Sequence, residues 1–174
     1  MSFAEGRDVI RSIISRYEGA RREAIRKLPQ TKSVVFNVIA DILYRVERSL
    51  EYLSELEKVT SVSEAGYKRS CGNLFLIKGS DHITALKLKP VQAITYNRSN
   101  GNISISNDRV KMIISGTSVK FVFRGRGIEF NYASFDEAVA KVEVIKAIAK
   151  YVIDLADRLQ LCVEQCAKIH NIRL

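Results

Sequence analysis

Apolar residues at the start of the chain return every seven positions, at Phe3, Ile10, Tyr17 and Ala24, and Ile13, Ile14, Ile25 and Leu28 widen the stripe. Such a pattern fits a 3.6-residue period and predicts an amphipathic helix over about 3–28. Ser2 and Glu5 have the spacing of a capping box, in which each side chain meets a free backbone N–H of the first turn. Pro29 ends the helix, because the residue before a proline is pushed out of the α region. A second stripe, Val35, Ile39, Ile42, Val46, Leu50, Leu53 and Leu56, predicts a helix over about 32–58 with Thr31 as its cap. The short connection makes the two an antiparallel hairpin over 1–59.

Residues 60–73 are rich in small and turn-forming types and read as a loop. From Leu74 to Tyr132 the period changes to two. Strands are predicted at 74–78, 82–89, 91–97, 102–106, 109–115, 117–124 and 127–132, separated by turn signals such as Asn100-Gly101, Asn107-Asp108 and Gly125-Arg126-Gly127. Closely spaced hairpins imply an antiparallel meander over 74–133. Pro90 implies that 82–89 and 91–97 form one bent strand or two edge segments. A last stripe, Ala138, Val142, Ile145, Ala149, Val152, Ala156, Leu159, Val163 and Cys166, predicts one helix over 135–170, with Ser134 and Glu137 as a second capping box. About 35 residues at 1.5 Å each give a rod of about 50 Å. That exceeds the width of a small sheet, so the surplus should pack on the hairpin, on a second subunit, or on both. The fold class is therefore α+β: a single domain over 1–174 with an N-terminal helical hairpin, an antiparallel meander sheet and a long C-terminal helix (134–174) packed across both.

Charge adds a direction to this picture. The chain carries 28 basic and 19 acidic side chains, net +9. Residues 61–133 hold 11 of the basic and 4 of the acidic ones, so most of the excess lies in the predicted sheet. Concentrated positive charge points to a polyanionic partner. Strand alternation then sorts side chains by face. Val119, Phe121 and Phe123 share one face with Ile128, Phe130 and Tyr132, and their apolar character assigns them to the core. The opposite face is expected to carry Lys87, Lys89, Lys111, Lys120 and Arg124, with Ser104 and Ser106 between them. Arg124 and Arg126 flank a turn and suit phosphate contacts. Tyr67, Lys68 and Arg69, in the preceding loop, would act as a flexible clamp supplying stacking and charge. The seven basic residues of the first helix are diluted by Asp8, Glu18 and Glu23 and read as a solvated face.

Catalytic and metal chemistry finds little footing. Cys162, Cys166 and His170 share one helix face at four-residue steps, but a structural zinc site usually needs four ligands, and the cysteines read as small residues of a packing seam. The glycines form no phosphate-binding loop, and Gly125-Arg-Gly127 lacks the strand–loop–helix setting of a nucleotide fold. No carboxylate cluster suggests a nuclease. The expectation is a non-catalytic protein with neither cofactor nor metal. No apolar run reaches the roughly 20 residues of a membrane span. Three cysteines cannot all pair within one chain, which favours a reducing compartment, and the chain is expected to be cytoplasmic.

The order of helical hairpin, meander sheet and long C-terminal helix, with a basic sheet region, resembles ThermoDBP, an archaeal single-stranded-DNA-binding family. That resemblance implies a basic sheet-containing domain and a C-terminal dimerising helix. Seven short strands followed by one helix, over about 74–153, are also similar to a pleckstrin-homology-like domain, which would imply a phosphoinositide or peptide ligand. The leading expectation is nucleic-acid binding, single-stranded DNA or RNA favoured, in a homo-oligomer, with a dimer favoured. The alternatives are a structural or assembly oligomer built on the long helices, and a pleckstrin-homology-like module for an anionic ligand or peptide.

Overall fold

The computed structural model describes residues 1–174. Two helices lead, α1 (Phe3–Lys27) and α2 (Gln30–Thr60). Eight strands follow: β1 (Tyr67–Cys71), β2 (Leu74–Lys78), β3 (His82–Lys87), β4 (Gln92–Asn97), β5 (Asn102–Asn107), β6 (Val110–Ile114), β7 (Val119–Phe123) and β8 (Arg126–Phe130). A short helix, α3 (Phe135–Ala140), precedes the long α4 (Val142–Ile169). The strands form one sheet in chain order, every pair antiparallel. The α+β class and the order of elements agree with the periodicities.

The helix ends show how local chemistry resolves. Ser2 Oγ accepts from the Glu5 backbone N–H at 3.2 Å. The Glu5 carboxylate is taken by the N-terminal ammonium at 3.3 Å. Thr31 lies inside α2; Pro29 occupies the N-cap position, where its missing N–H costs nothing. Ser134 caps α3 without a side-chain hydrogen bond, so the second capping box does not form. The expected single C-terminal helix is interrupted at Lys141, whose backbone N–H turns back to Ala138 and whose Nζ donates to the Glu129 carbonyl at 2.9 Å. Ile25, counted in the α1 stripe, is 53% exposed.

Two strand expectations change. Residues 67–71 form β1, where a loop was expected. Only Ser70 of this strand is buried, so it has no apolar alternation to read; its ladder with β2 makes it an edge strand. Segments 82–89 and 91–97 are neither one bent strand nor edge pieces. β3 and β4 are interior neighbours, and Pro90 sits in the turn between them, where no ladder N–H is required.

One face of the sheet joins the helices in a continuous core of 42 buried residues. α4 crosses the sheet from β7 to β1 and packs lengthwise on α2. Arg45 pairs with Asp157 at 2.7 Å, and Lys146 Nζ donates to the Thr31 carbonyl at 2.9 Å. The surplus helix length that pointed to the hairpin or a second subunit is thus taken up by α2 of the same chain. At the far end a disulfide joins Cys71 of β1 to Cys166 of α4, and His170 Nε2 lies 2.7 Å from the Ser70 carbonyl. Of the three cysteines only Cys162 is free. No helix is long and apolar enough to cross a membrane.

Candidate nucleic-acid interface

Register assigns each expected basic residue a side. One row of the open face runs Arg69, Phe75, Leu86, Ala93, Ser106, Lys111, Val122 and Gly127; the next runs Tyr67, Ile77, Thr84, Thr95, Ser104, Ile113, Lys120 and Glu129. Lys111 and Lys120 therefore stand on the open face as expected, with Glu129 directly across from Lys120. Lys87 does not. It shares the parity of buried Ile83 and Ala85, and its row, Leu74, Lys87, Gln92 and Asn107, faces the helices. Lys89 is a turn residue with φ of 57°. Arg124, at φ of 51°, and Arg126 lie at the β7–β8 turn. Tyr67 and Arg69 belong to β1 on the open face, Arg69 lying 5.3 Å from the Phe75 ring, while Lys68 shares the helix-side row of Leu76. The three are strand residues and do not form a loop clamp. The open face thus holds two lysines at one end, Arg69 at the other, and small hydroxyl and apolar residues between.

Meander topology gathers the remaining charge. In a sheet of consecutive antiparallel strands, alternate turns lie at the same end. The β3–β4, β5–β6 and β7–β8 turns carry Lys89, Arg109 and Arg124 respectively, with Lys87 and Arg126 beside them. Strands about 4.8 Å apart put these turns about 10 Å from one another. That is slightly beyond the screening length of about 8 Å at physiological salt, so the cations reinforce one another's field chiefly at lower salt.

α4 runs along this basic rim and forms a groove with it. Three hollows follow one another. The first, of about 450 Å³, is bounded by Arg109, Phe123, Arg124 and Tyr151. The second, of about 340 Å³, shares Arg109 and Tyr151 and adds Gln92, Asn107 and Arg158. The third, of about 250 Å³, shares Arg158 and adds Lys87 and Cys162. From Tyr151 to Cys162 the helix rises about 16 Å, which sets the scale of the groove. Phe123 and Tyr151 stack with ring centroids 5.9 Å apart and planes 18° from parallel. Arg124 approaches the Phe123 ring at 5.2 Å, and Lys150 approaches Tyr151 at 5.2 Å. Tyr151 remains 48% exposed. Phe121, Phe130 and Tyr132 are core as expected, whereas Phe123 is half-buried and borders the groove.

The groove is cationic but not uniformly so. Asp154 pairs with Arg158 at 3.0 Å, and Asp108 sits among the lining residues. Asn107 Oδ1 accepts from the backbone N–H groups of Arg109 and Val110, each at 2.8 Å, which fixes the arginine-bearing turn. Gln92 is 3% exposed, and its Oε1 has no hydrogen-bond partner. A buried acceptor left unpaired costs about 1–3 kcal/mol. The Cys162 thiol is pushed up in pKa by burial, with Lys87 pulling the other way. Cys166 and Cys71 are consumed by the disulfide and His170 is engaged by Ser70, so Cys162, Cys166 and His170 do not converge as a ligand set.

Three arginines of α1 are engaged within the fold. Arg16 donates to the Gly116 carbonyl at 2.8 Å, while Arg11 meets Glu47 and Arg21 meets Glu18. Sequence reasoning passed over Arg109, Gln92, Tyr151 and Arg158. Arg109 was legible from its place in a turn of the same parity as Arg124. Tyr151 and Arg158 lie on a charge-balanced helix, and only its docking along the rim singles them out. No protein-family model, curated protein or solved structure matches the chain.

Proposed function

We propose that this chain is a non-catalytic nucleic-acid-binding protein that favours single strands, and that it binds along the groove between α4 and the basic rim of the sheet. The observation that carries this reading is the alignment of Arg124, Arg109, Arg158 and Lys87 along one groove beside the stacked, half-open Phe123–Tyr151 pair. Single-strand sites combine a cationic track for the backbone with exposed rings for the bases. The groove lies between a helix and turns, and so suits a flexible strand better than a rigid duplex. Lys89 and Arg126 extend the same rim, and Lys111 and Lys120 offer a weaker, separate charge on the open face.

The test is fluorescence anisotropy with labelled single-stranded DNA, single-stranded RNA and duplex DNA across a salt titration. Four phosphate contacts to a single strand give an expected slope of about −3 in log K against log salt. Single strands should bind more tightly than duplex. Absence of binding at low salt, or binding indifferent to salt, would refute the reading.

A further inference from the structure

We infer that Gln92 reads a base edge, so that the groove takes strands presenting an unpaired base with an exocyclic amino group beside a ring nitrogen, the chemistry that adenine and cytosine share. The inference rests on the reading of the groove as a single-strand site. It begins from the orphaned amide. Gln92 is the first residue of β4 and faces the helices; it lines the middle hollow together with Tyr151 and Arg158 of α4 and Arg109 of the β5–β6 turn. It is 3% exposed, and its Oε1 is without a partner. The adjoining Asn107 does not relieve it: its amide nitrogen makes no hydrogen bond to Gln92 Oε1, while its own oxygen accepts from the Arg109 and Val110 N–H groups.

Each neighbour narrows the ligand. The four basic residues of the whole groove, in excess over Asp108 and Asp154, call for an anion, the Tyr151 ring for a flat π system, and the buried oxygen for a hydrogen-bond donor. A nucleotide unit carries all three. Glutamine is a recognised partner of adenine through its amino donor and the adjacent ring nitrogen. The oxygen is recessed, its own accessible area being below 1 Å². An amino group projects beyond the ring and meets this acceptor once the Gln92 side chain turns into the hollow. The ring N–H of thymine or uracil lies between two carbonyls, which would be pressed against the amide oxygen. The occupied groove therefore favours adenine and cytosine over thymine and uracil.

The experiment uses the full chain and labelled oligomers of equal length: oligo-dA, oligo-dC, oligo-dT, an abasic strand, and an oligo-dA in which purine, lacking the 6-amino group, replaces adenine. The expected result is roughly tenfold tighter binding of both oligo-dA and oligo-dC than of oligo-dT and the abasic strand. Purine substitution should remove the oligo-dA advantage. Gln92→Leu should remove the same preference with an unchanged salt slope and a Tm no lower than that of the unmodified chain, because it deletes an unpaired buried acceptor. Equal binding of all strands, a preference that survives in Gln92→Leu, or indifference to the 6-amino group overturns the inference while leaving the groove reading in place. Should Gln92→Leu fail to fold, the purine arm decides with the unmodified chain. If no strand binds, the groove reading itself falls, and base readout falls with it.

Discussion

Two buried tyrosines show how single side chains set the pH response of the fold. The Tyr17 hydroxyl donates to the Phe36 carbonyl at 2.8 Å, tying α1 to α2, and its ring meets Tyr132 edge-on at 5.3 Å. Tyr132 donates to the Ser115 carbonyl at 2.8 Å. Burial raises the pKa of both, that of Tyr132 to about 12. A folded pKa above the unfolded value near 10 means that the folded state holds the proton more tightly. Stability from Tyr132 is then complete below pH 10 and is lost as pH rises from 10 to about 12. Alkaline titration followed by circular dichroism should show unfolding that begins above pH 10. Tyr132→Phe should flatten that dependence and lower stability at neutral pH by about 1 kcal/mol through the lost hydrogen bond. At this scale the sequence read well for Phe121, Phe130 and Tyr132, whose parity placed them in the core. It misplaced Lys87 because the face of β3 that carries Ile83, Ala85 and Lys87 was assigned to solvent on the strength of its lysines, whereas Ile83 and Ala85 are buried against the helices.

At the scale of elements, the end of α4 is held by contacts that periodicity does not reveal. The Cys71–Cys166 disulfide spans a sequence separation of 95 and fastens the C-terminal end of the helix to the outermost strand. Closing so long a loop restricts the unfolded chain, and its loss is expected to cost about 2–4 kcal/mol. Reduction, or Cys71→Ser with Cys166→Ser, should lower the denaturant midpoint by a corresponding amount, and hydrogen exchange should accelerate first in β1. Cys162→Ser should leave the midpoint within about 0.5 kcal/mol of the unmodified chain, because it removes no cross-link. The helices and seven of the strands were legible because each buries one regular face. β1 was not, because an edge strand with exposed Tyr67, Lys68 and Arg69 is held by its backbone ladder and by the disulfide, and neither leaves a periodic trace. The break at Lys141 escaped notice for a related reason: Val142 and Ile145 continue the stripe across it.

For the molecule as a whole, the question is where the net charge of +9 is displayed. The open face and the rim groove make opposite predictions. Reversing Arg109 and Arg124 to Glu should weaken single-strand binding about a hundredfold and flatten the salt slope by about 1–2, whereas reversing Lys111 and Lys120 should cost less than tenfold. Anisotropy on the two double variants checks this, and a larger loss from the lysine pair would move the site to the open face. By itself the sequence determined the α+β class, the helical hairpin, the meander and the concentration of charge in the sheet segment, because helix and strand periods and turn residues are local properties. Only the tertiary structure decided which basic residues lie together. Meander order brings alternate turns to one rim, and α4 docks along that rim with its C-terminal end fixed to β1. Arg109, Arg124, Gln92, Tyr151 and Arg158, spread over 67 positions of chain, line one groove because strand order and helix packing place them there, and these are long-range consequences of burying a shared core.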